Sequence, residues 1–233
     1  MIGRRPSGHD EIAAVLGSEI LSGARPPGSR LPSAAELYDL FGVSRVVLRE
    51  VTKTLAAKGL IATKSRVGTH VLPSEYWNWF DPDVLAWRIR LGFDSAFIDQ
   101  LADMRRAVEP AGAALAAEHR TAGHISAMRE ALAAMTRAGG DRRAFADADL
   151  AFHIAVAAAS GNPLFRAFAG VVETALAGYF SISTPVQDAA VAANIARHAA
   201  IADAIEAGHG QAAARAMLSV IDEGLDRVRR EHT

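Results

Sequence analysis

From residue 9 the apolar positions fall three and four apart. Ile12, Leu16 and Ile20 share one face of a helix predicted over His9–Leu21, which Gly23 ends. The stretch Arg25-Pro-Pro-Gly-Ser-Arg-Leu-Pro is a turn with several φ angles fixed by proline. Ser33 then caps a second helix, with Glu36 three residues on as its capping-box partner. That helix carries Leu37, Leu40 and Phe41 and stops at Gly42. Ser44 caps a third helix, Arg45 to Lys58, which is expected to bury Val47, Leu48, Val51 and Leu55 before Gly59. The period then changes. Leu60-Ile-Ala-Thr and His70-Val-Leu read as two short strands around the basic turn Lys64-Ser-Arg-Val-Gly-Thr. Three short helices and a hairpin make a winged helix-turn-helix over residues 9–72.

Residues 73–93 break this pattern. The run PSEYWNWFDPDVLAWRIR holds all three tryptophans of the chain, too apolar for a free linker, so it is expected to pack between domains or at a dimer contact. From Asp94 the helical period returns. Helices are predicted over 94–120, 121–138, 141–159, 162–180, 188–207 and 210–230, with breaks at Gly139-Gly140, Ser160-Gly-Asn-Pro and Gly208-His-Gly. The fold class is therefore mainly α: a winged helix-turn-helix, an aromatic linker, and an all-helical domain over 94–230.

Composition sharpens this in two places. Alanine dominates the C-terminal two-thirds, which favours helix. Residues 1–72 hold ten Lys/Arg against six Asp/Glu, while the rest is net acidic; a basic head on an acidic body is what a two-domain DNA binder would show. There is no cysteine, no apolar run long enough to span a membrane and no apolar leader in MIGRRPSGHD, so a cytoplasmic location is expected.

Candidate chemistry lies in both halves. Arg45 and Arg49, four apart on the third helix, reach outward together, and an arginine fork suits guanine in the major groove. The helix N-terminus at Ser44 offers N–H groups to a phosphate. Lys53 continues the face, and Arg66, Gly68 and Thr69 sit at the wing tip. In the helical domain the informative residues are polar ones on apolar stripes. Asp149 interrupts Phe145, Phe152 and Val156, with His153 one turn on. His198 interrupts Ile195, Ile201 and Ile205. Such residues need partners. They are satisfied core groups or ligands, and an i, i+4 Asp–His pair can aim at one ion. Arg105 and Glu109 border the stripe Leu101, Met104, Val108, Leu115, either as a surface pair or as an inward arginine steered by a carboxylate.

The stretch PPGSRLPSAAELYDLFGVSRVVLREVTKTLAAKGLIATKSRVGTHV resembles the DNA-binding domain of GntR-type regulators, through PG-x-x-LPS, VSR-x-x-x-RE and the closing G-T-x-V. The resemblance implies DNA contacts at Ser44, Arg45, Arg49 and Gly68, and Arg30 and Ser33 are counted with them. Many members carry Glu-Arg after LPS, and that arginine also touches DNA; here those positions are Ala34 and Ala35. The motifs R-x-x-VEP-x-x-x-x-LAA, D-x-x-x-H followed by SGNP, and RH-x-x-x-x-x-AI-x-AG resemble the FCD effector domain of the FadR branch, and WNWFDPDVLAW is similar to a stretch in sugar-acid regulators. The likeness implies metal ligands at Asp149, His153 and His198 and an effector-binding set of Arg105, Glu109, Asp149, His153, Asn162 and His198. Where the family has a fourth ligand this chain has Val220. Glu223, water or the effector can fill the place, or the three residues bind a polar ligand directly with no metal. Zinc is the metal that imidazole and carboxylate suit.

These readings converge on a homodimeric transcription regulator, a repressor by expectation and not an enzyme. Its partners would be operator DNA and a sugar acid or other small carboxylate, with no membrane. Two other readings stand: a metal-dependent hydrolase on the helical domain, and a ligand sensor acting on a protein partner through a vestigial head.

Overall fold

The computed structural model describes residues 8–64, 67–92, 94–182 and 188–231. The chain divides into two compact units, Met1–Gly92 and Phe93–Thr233.

In the first unit α1 (His9–Leu21), α2 (Ala34–Phe41) and α3 (Arg45–Ala57) precede a hairpin of β1 (Ile61–Lys64) and β2 (Gly68–Val71). The helix starts follow the caps. Ser33 accepts from the Glu36 amide while Glu36 reaches back to the Ser33 amide, and Ser44 accepts from the Val47 amide. Gly42 ends α2 at φ 70°, a left-handed conformation costly for any residue with a Cβ. The strands pair antiparallel with Ile61 opposite Val71 and Lys64 opposite Gly68. Leu16, Ile20, Leu48, Val51, Leu55 and Leu60 form the core, while Val47 is only half-buried.

Of residues 73–93, read from the sequence as a linker, 73–92 fold onto this unit. A 3-10 turn (Ser74–Tyr76) leads to α4 (Pro82–Arg90), which starts at an Asp81 cap with proline in its first turn. Trp87 is 4% exposed and joins the first unit's core, pressed so closely on Gly17 that a Cβ there would lie 2.2 Å from the indole. Lys58, itself buried, pairs with Asp81 and Asp83, each at 2.7 Å, and lies over the Trp87 ring. Trp77 donates its indole N–H to the Leu72 carbonyl. The helix and the buried lysine were not foreseen, although Asp81-Pro82 is a helix-start signal.

The second unit is helical throughout its described residues: α5 (Ser95–His119), α6 (Ala122–Ala138), α7 (Arg142–Ala159), α8 (Pro163–Ala167), α9 (Ala169–Ile182), α10 (Asp188–Glu206) and α11 (Gly210–Glu231). α5 runs on through Pro110. α11 packs along α5 and α10, and α6 along α7. Met128, Met135, Phe145, Phe152, Ile201, Ile205, Met217 and Ile221 fill the main core. The single helix expected over 162–180 is two, separated at Phe168. No glycine or proline marks that residue. The Phe165 ring of α8 packs at 3.1 Å over the position a Gly112 Cβ would take, which seats α8 against α5.

Candidate functional site

In the first unit Arg45 and Arg49 are exposed on α3, and they border one recess with Arg30, Ser33, Ala34, Thr52, Gly68 and Thr69. The recess therefore joins the start of α2, the outward side of α3 and the wing. Arg30 is placed there by a bridge to His70 of β2, and its Nε lies 3.4 Å from where a Gly68 Cβ would be. Gly68 itself has φ 101°, which glycine alone adopts cheaply. Thr69 meets Thr63 across the hairpin, oxygen to oxygen, at 3.0 Å. Ser44 and Ser33 serve as helix caps. Lys53 is exposed but pairs with Glu50 at 2.8 Å, which tempers the part expected of it toward phosphate. Arg66 lies outside the described residues.

In the second unit five of the six residues expected at the effector site come together in the interior. α5 supplies Arg105 and Glu109, α7 supplies Asp149 and His153, and α10 supplies His198; each is at most 9% exposed. The Arg105 Nε donates to Glu109 Oε1 at 2.5 Å, and an Arg105 terminal nitrogen lies 3.3 Å from His153 Nε2. The other Glu109 oxygen is 2.6 Å from His153 Nδ1. Asp149 lies 3.0 Å from His198 Nε2 and 3.8 Å from His153 Nε2. The Phe152 ring meets the His198 ring edge-on at 5.2 Å and fixes its plane. Asn162 is not in this group. It is exposed, and its Oδ1 accepts from the Leu164 amide to cap α8.

The electrostatics are tight. Burial alone would raise the Glu109 carboxyl, but the Arg105 charge and then His153 outweigh it and hold it down to about 2. Burial likewise opposes ionisation of Asp149, and the charge of a protonated His198 beside it outweighs that and lowers its pKa. His198 Nδ1 lies 2.9 Å from the Asn194 carbonyl, which only accepts, so Nδ1 carries the proton. Nε2 of neutral His198 then points a lone pair at an Asp149 oxygen. Two acceptors 3.0 Å apart need a cation between them, a proton or a metal ion. Neither His198 Nε2 nor His153 Nδ1 makes a hydrogen bond of acceptable angle, although both are buried.

One ligand atom each from Asp149, His153 and His198 lies within 4.8 Å of the others, so shifts of about 1 Å would bring them to the spacing of roughly 3.4 Å that bonds of about 2.0–2.2 Å to one tetrahedral ion require. The donor set, one carboxylate and two imidazoles, fits a divalent metal. Val220 is buried and apolar, so it supplies no ligand. Glu223 has both oxygens engaged, with Arg197 at 3.4 Å and Arg230 at 3.3 Å, and stands outside the three-residue set. Beside the cluster, Glu109 and His153 share a cavity of about 20 Å³ with Val108, Gly112, Phe165 and Met217, room for a water or two.

Residues 9–71 match the family described as bacterial regulatory proteins, gntR family, and residues 100–223 match the FCD domain. The galactonate operon transcriptional repressor of Escherichia coli is 34% identical over 220 residues, covering 94% of this chain and 96% of that protein. The chain belongs to the GntR family of transcription regulators. LutR of Bacillus subtilis, an HTH-type transcriptional regulator, is 32% identical over 209 residues, covering 86% of this chain and 91% of that one. Among solved structures, Listeria monocytogenes Lar superposes with a TM-score of 0.66 at 18% identity, over 97% of this chain and 99% of that one, a likeness of fold.

As a GntR-family regulator the chain binds DNA through its head and is not an enzyme, which removes the hydrolase reading. No described helix is long and apolar enough to cross a membrane. Of what sequence reasoning missed, the Glu109–His153 contact has the most consequence. Glu109 was paired with Arg105 alone, and nothing in the spacing of α5 and α7 signals that the carboxylate also reaches the histidine.

Proposed function

We propose that the protein is a homodimeric repressor acting in the cytoplasm, and that a small hydroxy-carboxylate, of the sugar-acid class, releases it from its operator. The observation that carries the effector reading is the charge of the buried cluster. Without an ion, Arg105 and the proton between Asp149 and His198 offer two positive charges against the two negative ones of Glu109 and Asp149, so these residues balance. An anionic effector entering that site would leave one negative charge buried and unmet. A divalent ion on Asp149, His153 and His198, in place of that proton, leaves the site one positive charge to be met by one carboxylate.

The chain's own residues divide the work. His198 is held in the right tautomer by the Asn194 carbonyl, the outer contact that metal-binding histidines use. Glu109 stands at the far nitrogen of His153 and steers that ring. Arg105 holds the effector carboxylate through a charge-assisted pair. When bound, the ion supplies an electrophilic position for an effector hydroxyl or carboxylate oxygen, and Val220 leaves that position open. The small cavity beside Glu109 and His153 has no space for a sugar acid, so binding selects a more open arrangement of the walls that Phe165 and Phe168 form. That arrangement biases the equilibrium between operator-binding and released forms. The name of the galactonate operon repressor supports a sugar acid as the first class to test.

Two copies are needed because one winged helix reads few bases. Tyr76, Trp79 and Phe80 remain exposed after Trp87 is buried and are one apolar surface of the first unit that a partner copy would cover. Light scattering at micromolar concentration is expected to give a dimer.

The effector reading is tested by thermal shift over a panel of sugar acids, with zinc present and after chelation. A true effector raises the melting temperature by mass action, and the rise is expected to shrink without the metal. A panel that leaves the melting temperature unchanged in both states would remove the sugar-acid class. An equal rise in both states would show that the three residues bind the ligand directly, with no ion.

A further inference from the structure

The residue pointing straight out of α3 is a valine. At about 100° per residue, the buried Leu48, Val51 and Leu55 mark one side of the helix, and Val46 falls almost opposite their centre. It is 71% exposed, the most exposed large hydrophobic side chain described in the first unit. Arg45 and Arg49 flank this line on the side of the wing recess. Glu50 and Lys53 continue it toward the C-terminus, and their charges are turned on each other at 2.8 Å. A single exposed valine is ordinary on a protein surface. This one occupies the first turn of the helix that a helix-turn-helix protein inserts, N-terminus first, into the major groove. There the crown of the turn faces base edges. The one apolar group those edges present is the thymine 5-methyl.

We infer that Val46 is a specificity-determining residue that reads a thymine methyl group, next to the bases that Arg45 contacts. The inference rests on the family's DNA-binding function and adds a base to it. Three features of this chain favour it. Ala34 and Ala35 stand where many members place Glu-Arg, so the start of α2 offers no arginine fork and more of the reading falls to the first turn of α3. Valine has no donor or acceptor in its side chain, so hydrogen-bonded readout at this position is excluded. Its methyl groups are held in few rotamers on a helix, which limits the ordering cost of a close apolar contact.

The experiment begins with the full-length protein and a random duplex pool, from which the bound sequences are selected. Each thymine of the selected operator is then replaced singly by deoxyuridine, which removes the 5-methyl and keeps the pairing edge and the O4 acceptor. Affinity is read by fluorescence anisotropy for wild type, Val46→Ala and Val46→Thr. Loss of one buried methyl is expected to weaken wild type about fourfold at one thymine of the recognition sequence. Val46→Ala is expected to bind the thymine and uracil duplexes equally, and Val46→Thr, which keeps a γ-methyl, to restore most of the discrimination. Because Val46 is exposed, the alanine variant folds, and its helix propensity rises. Neutral uracil at every thymine in wild type overturns the inference, as does an undiminished uracil penalty in Val46→Ala. A pool that yields no preferred sequence fails the DNA-reading assignment itself, and the inference with it.

Discussion

Arg45 and Arg105 carry the same guanidinium and are put to opposite uses. Arg45 is exposed on the first turn of α3, with no hydrogen bond or ion pair to another described residue. Arg105 is 1% exposed, bound to Glu109 and close to His153. The outward arginine keeps its donors for a phosphate or a base, and folding scarcely depends on it. The inward one is desolvated on folding, and its contacts are part of what compensates that loss. A surface that reads DNA can thus change residue by residue, whereas the buried cluster is tied into the fold through three helices.

The chain offers a direct way to break this contrast. All three tryptophans lie between residues 77 and 87, in the first unit, so their fluorescence reports the head, while most far-UV ellipticity comes from the longer helices of the second unit. Arg105→Met is expected to cost about 3–5 kcal/mol by leaving Glu109 buried without its main counter-charge. It should lower the urea midpoint by ellipticity more than the midpoint by tryptophan fluorescence. An unchanged ellipticity midpoint would mean that the buried pair is not part of the fold's support.

Acid sharpens the same point. Glu109 ionises at about 2 in the folded chain, against an ordinary 4.5. Its contribution is therefore complete above about pH 4.5 and is lost as pH falls from there toward 2. Asp149, also lowered, acts in the same direction. The stability of the second unit should fall across that window, and Glu109→Gln should flatten the fall. A Glu109→Gln profile parallel to wild type would refute the assignment.

Smaller effects belong to the head. Arg45→Ala should cost about 1–3 kcal/mol of operator binding and relax specificity at one position, with both unfolding midpoints unchanged. If the operator were bound as tightly as before, α3 would not be the reading helix. Lys53→Ala should weaken all sequences alike and reduce the salt slope by at most about 1, since the lysine is already paired with Glu50.

How much of this was readable in the chain follows from where the determinants lie. α1, α2 and α3 are bounded by local signals, Ser33 with Glu36, Ser44, Gly42 and Gly59, and their ends were legible to within a residue or two. α4 was not, because the aromatic run hides its period and only Asp81-Pro82 marks its start. The break at Phe168 was not legible: no cap or proline marks it, and the contact that seats α8, Phe165 on Gly112, joins residues some fifty apart in the chain. Asp149, His153 and His198 stood out as polar residues on apolar stripes, so their burial was legible. That they meet was not, since no spacing relates α7 to α10. Arg105 was placed by family likeness, and Asn162, expected at the effector site, is instead the cap of α8.

The central claim is that the buried cluster senses an acid and that the head answers. The most direct test is the affinity of full-length protein for its selected operator, titrated with the sugar acid that gives the largest thermal shift, in wild type and Asp149→Asn, a change that keeps the shape of the side chain. Wild type is expected to release the operator as the acid is added. Asp149→Asn is expected to bind the operator with unchanged affinity and to hold it at acid concentrations that free wild type. Release of both proteins at the same concentration would contradict the account.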